Sequence, residues 1–233
     1  MSEMYEIYKK HAEQYDELVR AEDYQNNLRS LLHEAIDWRK LSVIEAGVGT
    51  GRVTRLYIDQ VDSAICCDRS PHMLSFAQHA LAAHADKLRF LEADNKEFPA
   101  IDGRFDVFIE GWSFGHSASD CPAIDEVPDM TVRLVHNACK NIKPGGYVIL
   151  LETLGTNTES PGAPHEKLNR YYTELENRFG FDRKMIRTDY KFVSVDEAVR
   201  VMGFFFGEKM AHAVRAGNRT IIPEWTGMWM KMV

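Results

Sequence analysis

The segment at residues 43–52 constrains the fold more than any other, because an apolar run there enters a turn with three glycines. Its sequence, VIEAGVGTGR, places Gly47, Gly49 and Gly51 at alternate positions directly after a strand-like stretch. Glycine adopts positive φ without strain and lets a ligand approach the backbone closely. In open α/β sheets, nucleotides bind outside the carboxyl ends of the strands. The segment therefore predicts a nucleotide site in an α/β domain.

Short apolar runs recur along the chain and alternate with stretches of helical length. Runs without polar alternation are typical of strands buried on both faces of a parallel sheet. The predicted strands are 41–46, 64–68, 88–93, 106–110 and 147–152, and the helices between them are 53–60, 71–84 and 128–141. Two further helices are predicted before the first strand. This alternation predicts a doubly wound, Rossmann-like α/β domain.

The pattern changes after residue 152. A polar loop leads to a predicted helix at 166–179, followed by a strand at 183–193, a helix at 196–206 capped by Ser194, and a last strand at 220–233. We expect a single domain over 1–233, made of N-terminal helices 1–39, an α/β core 40–152, an insertion 154–182 that lies over the sheet edge, and a C-terminal part 183–233.

The glycine turn differs from that of a Rossmann dehydrogenase, because Arg52 stands where the third glycine would be. With Glu45 at the strand end, the pattern E-x-G-x-G-x-G resembles the glycine motif of class I S-adenosylmethionine-dependent methyltransferases. Asp68 and Asp94 end the next two strands, and Lys-Pro-Gly-Gly precedes the fifth. The resemblance covers residues 40–152 and, more loosely, the N-terminal segment that contains Tyr15.

The resemblance implies a fold, a cofactor and a set of binding residues. The fold is a seven-stranded, mostly parallel sheet in the order 3-2-1-4-5-7-6 with an antiparallel last strand. In this fold 40–152 is the cofactor-binding core, the insertion 154–182 forms part of a substrate lid, and 183–233 completes the sheet. The cofactor is S-adenosyl-L-methionine, with S-adenosyl-L-homocysteine as the product. The implied cofactor-binding residues are Tyr15, Glu45, Gly47, Gly49, Gly51, Asp68, Asp94, Asn95 and Glu110. Each has a structural alternative: a plain βα turn for the glycines, a helix cap for Asp68, a solvated loop acid for Asp94, and a core position for Tyr15.

The loop after the fourth predicted strand supplies the candidate catalytic residue. His116 titrates near neutral pH and could accept a proton from the acceptor, although a structural histidine is the alternative. Trp112 is predicted to stack on substrate or cofactor, or to pack under the loop. In the insertion, His165 and Tyr172 are predicted substrate contacts, with ordinary positions on an amphipathic helix as the alternative.

The net charge and the composition limit the classes of partner that the protein is expected to bind. With 28 Lys+Arg against 35 Asp+Glu, the net charge is -7, which argues against nucleic acid or an anionic membrane as the main partner. The first twenty residues have no signal-peptide pattern, and the longest apolar stretch is 202–207. The four cysteines are expected as thiols. A cytoplasmic protein without a metal is therefore predicted.

Methyl transfer to a small-molecule acceptor is thus the leading hypothesis from the sequence. The loop after the fourth strand reads EGWS, where methyltransferases of nucleobase amines have an Asn/Asp-Pro-Pro-Tyr/Phe motif. A non-catalytic S-adenosylmethionine-binding regulator or partner protein is the alternative, and an NAD-dependent oxidoreductase is a weaker one. A homodimer is left open.

Overall fold

Three helices precede the sheet in the computed structural model, which describes residues 3–233. They are α1, Glu3–Lys10; α2, Ala12–Ala21; and α3, Asn27–Ala35. The sequence predicted two helices here; the structure has a third because His11 departs from helical geometry, with φ -132° and ψ 43°. The Asp23 carboxylate begins α3 by accepting hydrogen bonds from the backbone N–H groups of Asn27 and Leu28 at 2.8 and 3.0 Å.

A sheet of seven strands forms the centre of the protein. The described residues contain nine strands, of which seven form this sheet. They are β1, Ser42–Ala46; β2, Ser63–Asp68; β3, Leu88–Glu92; β4, Phe105–Gly111; β5, Ile142–Thr156; β6, Asp182–Arg187; β7, Tyr190–Lys191; β8, Ile221–Ile222; and β9, Glu224–Met232. The main sheet has the order β3-β2-β1-β4-β5-β9-β6, and β7 pairs with β8 separately. Strand β9 is antiparallel to both neighbours. Numbered within this sheet alone, the order is 3-2-1-4-5-7-6, so the predicted fold is confirmed.

Helices cover both faces of the sheet. Beyond the first three they are α4, Thr54–Tyr57; α5, Pro71–Ala80; α6, Phe114–Ser119; α7, Val127–Cys139; α8, Glu166–Asn177; α9, Val195–Phe206; and α10, Glu208–Gly217. Successive side chains of a strand point to opposite faces. In β4, Phe108 therefore belongs to the apolar cluster that includes α7 and α8, whereas Val107 and Ile109 belong to the cluster with α3, α4 and α5.

A third apolar cluster joins the two ends of the chain. Leu18 of α2 packs with Tyr190 of the small sheet, with Val201 and Met202 of α9, and with Val214 of α10. Ser194 begins α9 as predicted, because its hydroxyl accepts a hydrogen bond from the Glu197 N–H at 3.1 Å. The C-terminal helices thereby hold α2 in place.

The C-terminal region differs from the prediction in three places. The predicted strand 183–193 divides into β6 and β7, since Asp189 turns the chain by pairing with Arg187 at 2.7 Å and accepting the Glu224 N–H at 3.0 Å. The predicted strand 220–233 divides at Pro223, which has no N–H for a ladder. Helix α10 was not predicted, and it follows a reversal at Gly207, where φ is +85°.

The segment 154–182 was predicted as an insertion and partial lid. Strand β5 continues through its first residues to Thr156, and α8 lies on the sheet with Leu175 buried. The lid role stays a prediction.

In the described part of the chain, no helix combines the length and apolarity that crossing a membrane requires. All four cysteines are free thiols, three of them buried.

Candidate active site

The glycine turn lies between β1 and α4 and has the backbone geometry that its sequence predicts. Gly47, Gly49 and Gly51 adopt φ of +68°, +53° and +84°. A Cβ on Gly47 would lie 2.4 Å from the Cβ of Ser113, and one on Gly49 would point toward Tyr15 at 3.6 Å. Both glycines line a cavity at the end of β1. Their missing side chains therefore leave room for a ligand against the backbone.

Asp68 ends β2 and faces the same cavity. Its Oδ2 accepts a hydrogen bond from the Gly49 N–H at 2.9 Å, and its Oδ1 accepts one from the Ser70 N–H at 2.8 Å. Burial raises the pKa of this carboxyl above its usual range. Each carboxylate oxygen keeps further acceptor capacity. The side chain can thus accept hydrogen bonds from a pair of hydroxyl groups in the cavity.

Asp94 and Asn95 follow β3 and contribute the next part of the cavity wall. The Asp94 Oδ1 accepts the Lys96 N–H at 2.8 Å and begins a short 3₁₀ turn, Asn95–Glu97. Both residues line the cavity together with Ala93 and Met73. A polar edge beside an apolar floor suits a flat heterocycle with an exocyclic amine.

The N-terminal helices form the roof of this first cavity, whose volume is about 190 Å³. Tyr5, Tyr8 and Tyr15 line it, and the Tyr8 and Tyr15 ring centroids lie 5.3 Å apart. The Ser70 hydroxyl donates a hydrogen bond to the Tyr8 carbonyl at 3.0 Å. Helix α1 is thereby attached to the loop that carries Asp68.

A second, larger cavity of about 610 Å³ adjoins the first. Five residues line both: Tyr5, Tyr8, Tyr15, Trp112 and His116. His116 lies on α6 with its Nε2 3.1 Å from the Tyr8 hydroxyl. Burial of the ring lowers the pKa of His116, so the neutral form dominates at neutral pH. A proton acceptor therefore lies where the two cavities meet.

Trp112 reaches this boundary through an unusual backbone conformation. Its φ is +55°, and its N–H donates to the Leu151 carbonyl at 2.7 Å. The Arg52 guanidinium stacks 3.6 Å from the centroid of the indole. The same guanidinium lies 2.6 Å from the Glu22 carboxylate, so a buried ion pair supports one wall of the second cavity.

Two carboxyl groups meet where β4 ends beside β5. The Glu110 Oε2 accepts hydrogen bonds from the Ser113 and Phe114 N–H groups at 2.9 and 3.1 Å. The Glu152 Oε1 accepts the Gly115 N–H at 2.6 Å. Burial raises the pKa of Glu110 to about 7, and burial together with the Glu110 charge raises the pKa of Glu152 well above its usual range. Of the two, only Glu152 lines the second cavity.

Several predicted site residues lie away from both cavities. The Glu45 carboxylate lies behind the glycine turn and accepts hydrogen bonds from Thr54 and Tyr57 at 2.7 and 2.6 Å. A Cβ on Gly51 would meet the Leu81 side chain at 2.8 Å, which gives that glycine a packing role. Likewise Glu110 supports the start of α6. The predicted cofactor contacts at Glu45, Gly51 and Glu110 are therefore not found along either cavity wall.

The two predicted substrate contacts of α8 have different surroundings. His165 caps the helix and lines the second cavity, with its Nε2 3.2 Å from the Ser119 hydroxyl. Tyr172 instead stacks on Trp229 in the core, with ring centroids 4.4 Å apart, and donates a hydrogen bond to the Thr153 carbonyl at 2.7 Å. Tyr172 is absent from the wall of either cavity because its face of α8 is turned to the sheet.

Five charged residues that line the second cavity were not predicted from the sequence. They are Glu22, Arg52, Asp120, Glu152 and Glu224. Glu152 carried a signal, since it ends a predicted strand as Asp68 and Asp94 do. No local sequence pattern indicates that Glu22 pairs with Arg52. Nor does any pattern indicate that Glu224, on β9, lies in the same cavity.

Comparison with known proteins also indicates a methyltransferase domain. Residues 43–146 match a protein family described as a methyltransferase domain. A hybrid PKS-NRPS synthetase of Penicillium oxalicum is 27% identical over 153 residues, which are 62% of this chain and only 4% of the synthetase. Demethylmenaquinone methyltransferase of Thermus thermophilus is 26% identical over 146 residues, 60% of this chain and 61% of that enzyme. The chain thus spans a small part of the synthetase and less than two thirds of the methyltransferase.

A solved structure matches over the full length. The S-adenosylmethionine-dependent methyltransferase of Thiobacillus denitrificans, in complex with S-adenosylhomocysteine, has a TM-score of 0.57 and 13% identity and covers 100% of this chain and 99% of its own. This likeness concerns the fold. Over residues 43–146 the chain is similar to a methyltransferase domain, and its glycine turn and sheet order are those that the resemblance to class I S-adenosylmethionine-dependent methyltransferases implies.

Proposed function

We propose that this protein transfers a methyl group from S-adenosylmethionine to a small-molecule acceptor. The observation that carries the proposal is that two cavities adjoin along five shared residues, with His116 among them. The glycine turn and Asp68 line only the first cavity. The second, at about 610 Å³, has the size of pockets that hold small molecules, about 300–1,000 Å³.

The residues of the first cavity fit the proposed cofactor. Asp68 would hold the ribose hydroxyls, Asp94 and Asn95 the adenine, and the backbone at Gly47 and Gly49 the amino-acid end. Asp68 keeps unused acceptor capacity beyond its two backbone hydrogen bonds. When bound, S-adenosylmethionine supplies a methyl group already activated by its sulfonium. The protein then needs chiefly to orient the acceptor, which can save about 7–11 kcal/mol of barrier.

His116 is the proposed proton acceptor. Its Nε2 lies at the boundary of the two cavities, and its lowered pKa keeps the ring neutral at neutral pH. A neutral imidazole can take a proton from an acceptor atom as the methyl group arrives. The Tyr8 hydroxyl lies 3.1 Å from this Nε2 and limits rotation of the ring.

Calorimetry tests the cofactor assignment. S-adenosylhomocysteine should bind the wild-type protein, whereas NAD should not. Asp68→Ala should weaken S-adenosylhomocysteine binding by about 1.5–3 kcal/mol, because charge-assisted hydrogen bonds to the ribose are lost. Asp102→Ala, which removes an exposed carboxylate far from the cavity lining, is the matched control and should bind as the wild type does. Binding of NAD alone, or equal affinity of the two variants, would refute the assignment.

A second assay separates an enzyme from a non-catalytic cofactor-binding protein. The protein is incubated with labelled S-adenosylmethionine and a set of small amines, alcohols and thiols, and transfer of label is measured. Transfer to any of them supports the proposal. Tight cofactor binding without transfer to any acceptor class would favour a regulator or partner protein.

A further inference from the structure

The walls of the second cavity carry more acidic than basic groups. Four carboxyl side chains line it, those of Glu22, Asp120, Glu152 and Glu224, against the single guanidinium of Arg52 among its described lining residues. Two of the four have strong partners. Glu22 pairs with Arg52, and Asp120 accepts a hydrogen bond from the Tyr5 hydroxyl. In the described structure neither Glu152 nor Glu224 forms a direct ion pair, and Arg52 acts on Glu224 only at longer range.

Glu224 has an oxygen that lacks a hydrogen-bond partner. Its side chain belongs to a residue only 2% exposed, and its Oε1 accepts the Thr153 hydroxyl at 2.9 Å. Its Oε2 is buried and makes no hydrogen bond of good geometry in the described structure, although the Thr156 side chain lies close to the carboxyl. An unsatisfied buried acceptor is unfavourable, so a donor from a ligand in the cavity would stabilise it. This single atom points to a ligand that donates a hydrogen bond.

Glu152 adds a second acidic group on the neighbouring strand. It is 2% exposed, and the Gly115 N–H engages its Oε1. Its pKa is raised because it is buried and close to Glu110. A cation in the cavity would favour the ionised form of this pair, since an opposite charge at close range lowers a carboxyl pKa. Glu152 and Glu224 thus both gain from a positive ligand.

Aromatic rings complete the lining. Trp112, Tyr15, Tyr190, Phe205 and Phe206 all contribute to the wall of the second cavity. The Tyr15 and Phe205 centroids lie 5.6 Å apart, and Phe205 and Phe206 pack edge to face at 4.9 Å. Aromatic faces attract organic cations, and more strongly where water is excluded. Rings and carboxyls in one cavity recognise an organic ammonium group.

We infer that the acceptor of this enzyme is an organic amine that binds as an ammonium ion between Glu152 and Glu224, against the aromatic wall. Its nitrogen passes one proton to the neutral His116 ring, and the lone pair so freed forms the bond to the methyl group as the bond from that methyl group to sulfur breaks. The inference rests on the proposed function, because it identifies the second cavity as the acceptor site. An alcohol or a carboxylic acid of the same shape would leave both carboxyls without a countercharge. A carboxylate ligand would likewise bring no positive charge to either of them.

Matched ligands test the inference on the wild-type protein saturated with S-adenosylhomocysteine. Two sets are titrated by calorimetry: tyramine against tyrosol and 4-hydroxyphenylacetate, and 3,3-dimethylbutylamine against 3,3-dimethylbutan-1-ol. At least one cation should bind about tenfold more tightly than its neutral counterpart, as expected for a charge-assisted hydrogen bond or a cation–aromatic contact. Preference for the neutral or anionic ligand in both sets, or no binding of either cation, would overturn the inference.

Variants locate the charge that is responsible. Glu224→Gln should remove most of the cation's advantage and leave binding of the neutral counterpart unchanged. Glu208→Gln, at an exposed position outside both cavities, is the matched control and should behave as the wild type. If Glu224→Gln does not fold, Glu152→Gln serves the same purpose. Equal cation preference in all folded variants would overturn the assignment to these carboxyls.

S-adenosylhomocysteine binding keeps the two proposals apart. Each variant is first titrated with S-adenosylhomocysteine alone, which contacts the first cavity in the proposed arrangement. If the wild type does not bind it, the proposed function itself fails. If it binds and the cation preference is missing, only the inference about the amine fails.

Discussion

Removal of the Arg52 guanidinium should destabilise the fold strongly, because its partner is buried. The Arg52 and Glu22 side chains are 15% and 3% exposed, with 2.6 Å between nitrogen and oxygen. Loss of one member of a buried ion pair costs about 3–5 kcal/mol, and loss of the stacking on Trp112 adds about 0.5–2 kcal/mol. We expect Arg52→Met to lower the free energy of unfolding by about 4 kcal/mol.

Urea unfolding followed by circular dichroism measures this change. The double variant Arg52→Met, Glu22→Gln should recover about 2 kcal/mol, since the uncompensated carboxylate is then absent. Arg39→Met is the control, because Arg39 pairs with Asp37 on the exposed surface and should cost only a small fraction as much. Equal effects of Arg52→Met and Arg39→Met, or additive single effects in the double variant, would refute the reasoning.

Two further predictions concern titratable groups. Burial raises the pKa of Glu45 from 4.5 to about 7, so the folded state binds a proton there, and this contribution to stability is full below pH 4.5 and lost as pH rises through about 7. Glu45→Gln should therefore reduce the difference between urea midpoints measured at about pH 5 and about pH 8, whereas an unchanged difference would contradict the raised pKa. His116→Asn should lower kcat by about 10²–10⁴ with an accepting amine and keep the affinity for S-adenosylhomocysteine. Initial rates of S-adenosylhomocysteine formation measure this, and wild-type turnover would remove His116 from the mechanism.

The sheet could be predicted because its information is local. Buried parallel strands appear as short apolar runs, and the glycine turn identifies the first of them. The C-terminal boundaries could not be predicted as well. Thr188 donates its N–H to the Glu224 carbonyl at 3.0 Å, a contact across 36 positions of sequence that ends one element and begins another. A short window of sequence, of the kind from which helices and strands are predicted, cannot contain both partners.

The candidate site was predictable in part for the same reason. Asp68 stands at the carboxyl end of a strand with its side chain toward the cavity, and the sequence identified it. Glu45 also lies at a strand end, one residue before Ala46, but the alternation of side chains turns it toward α4. Glu152 and Glu224 come from strands paired only in the fold, so their shared cavity could not be inferred from spacing.

The roof shared by the two cavities has a kinetic consequence. Tyr5, Tyr8 and Tyr15 cover both. In the proposed arrangement, a movement of α1 and α2 that admits one ligand would also open the other compartment to water. The dwell times of the two ligands would then be linked, because one closure encloses both, and release of the methylated product would require the same opening.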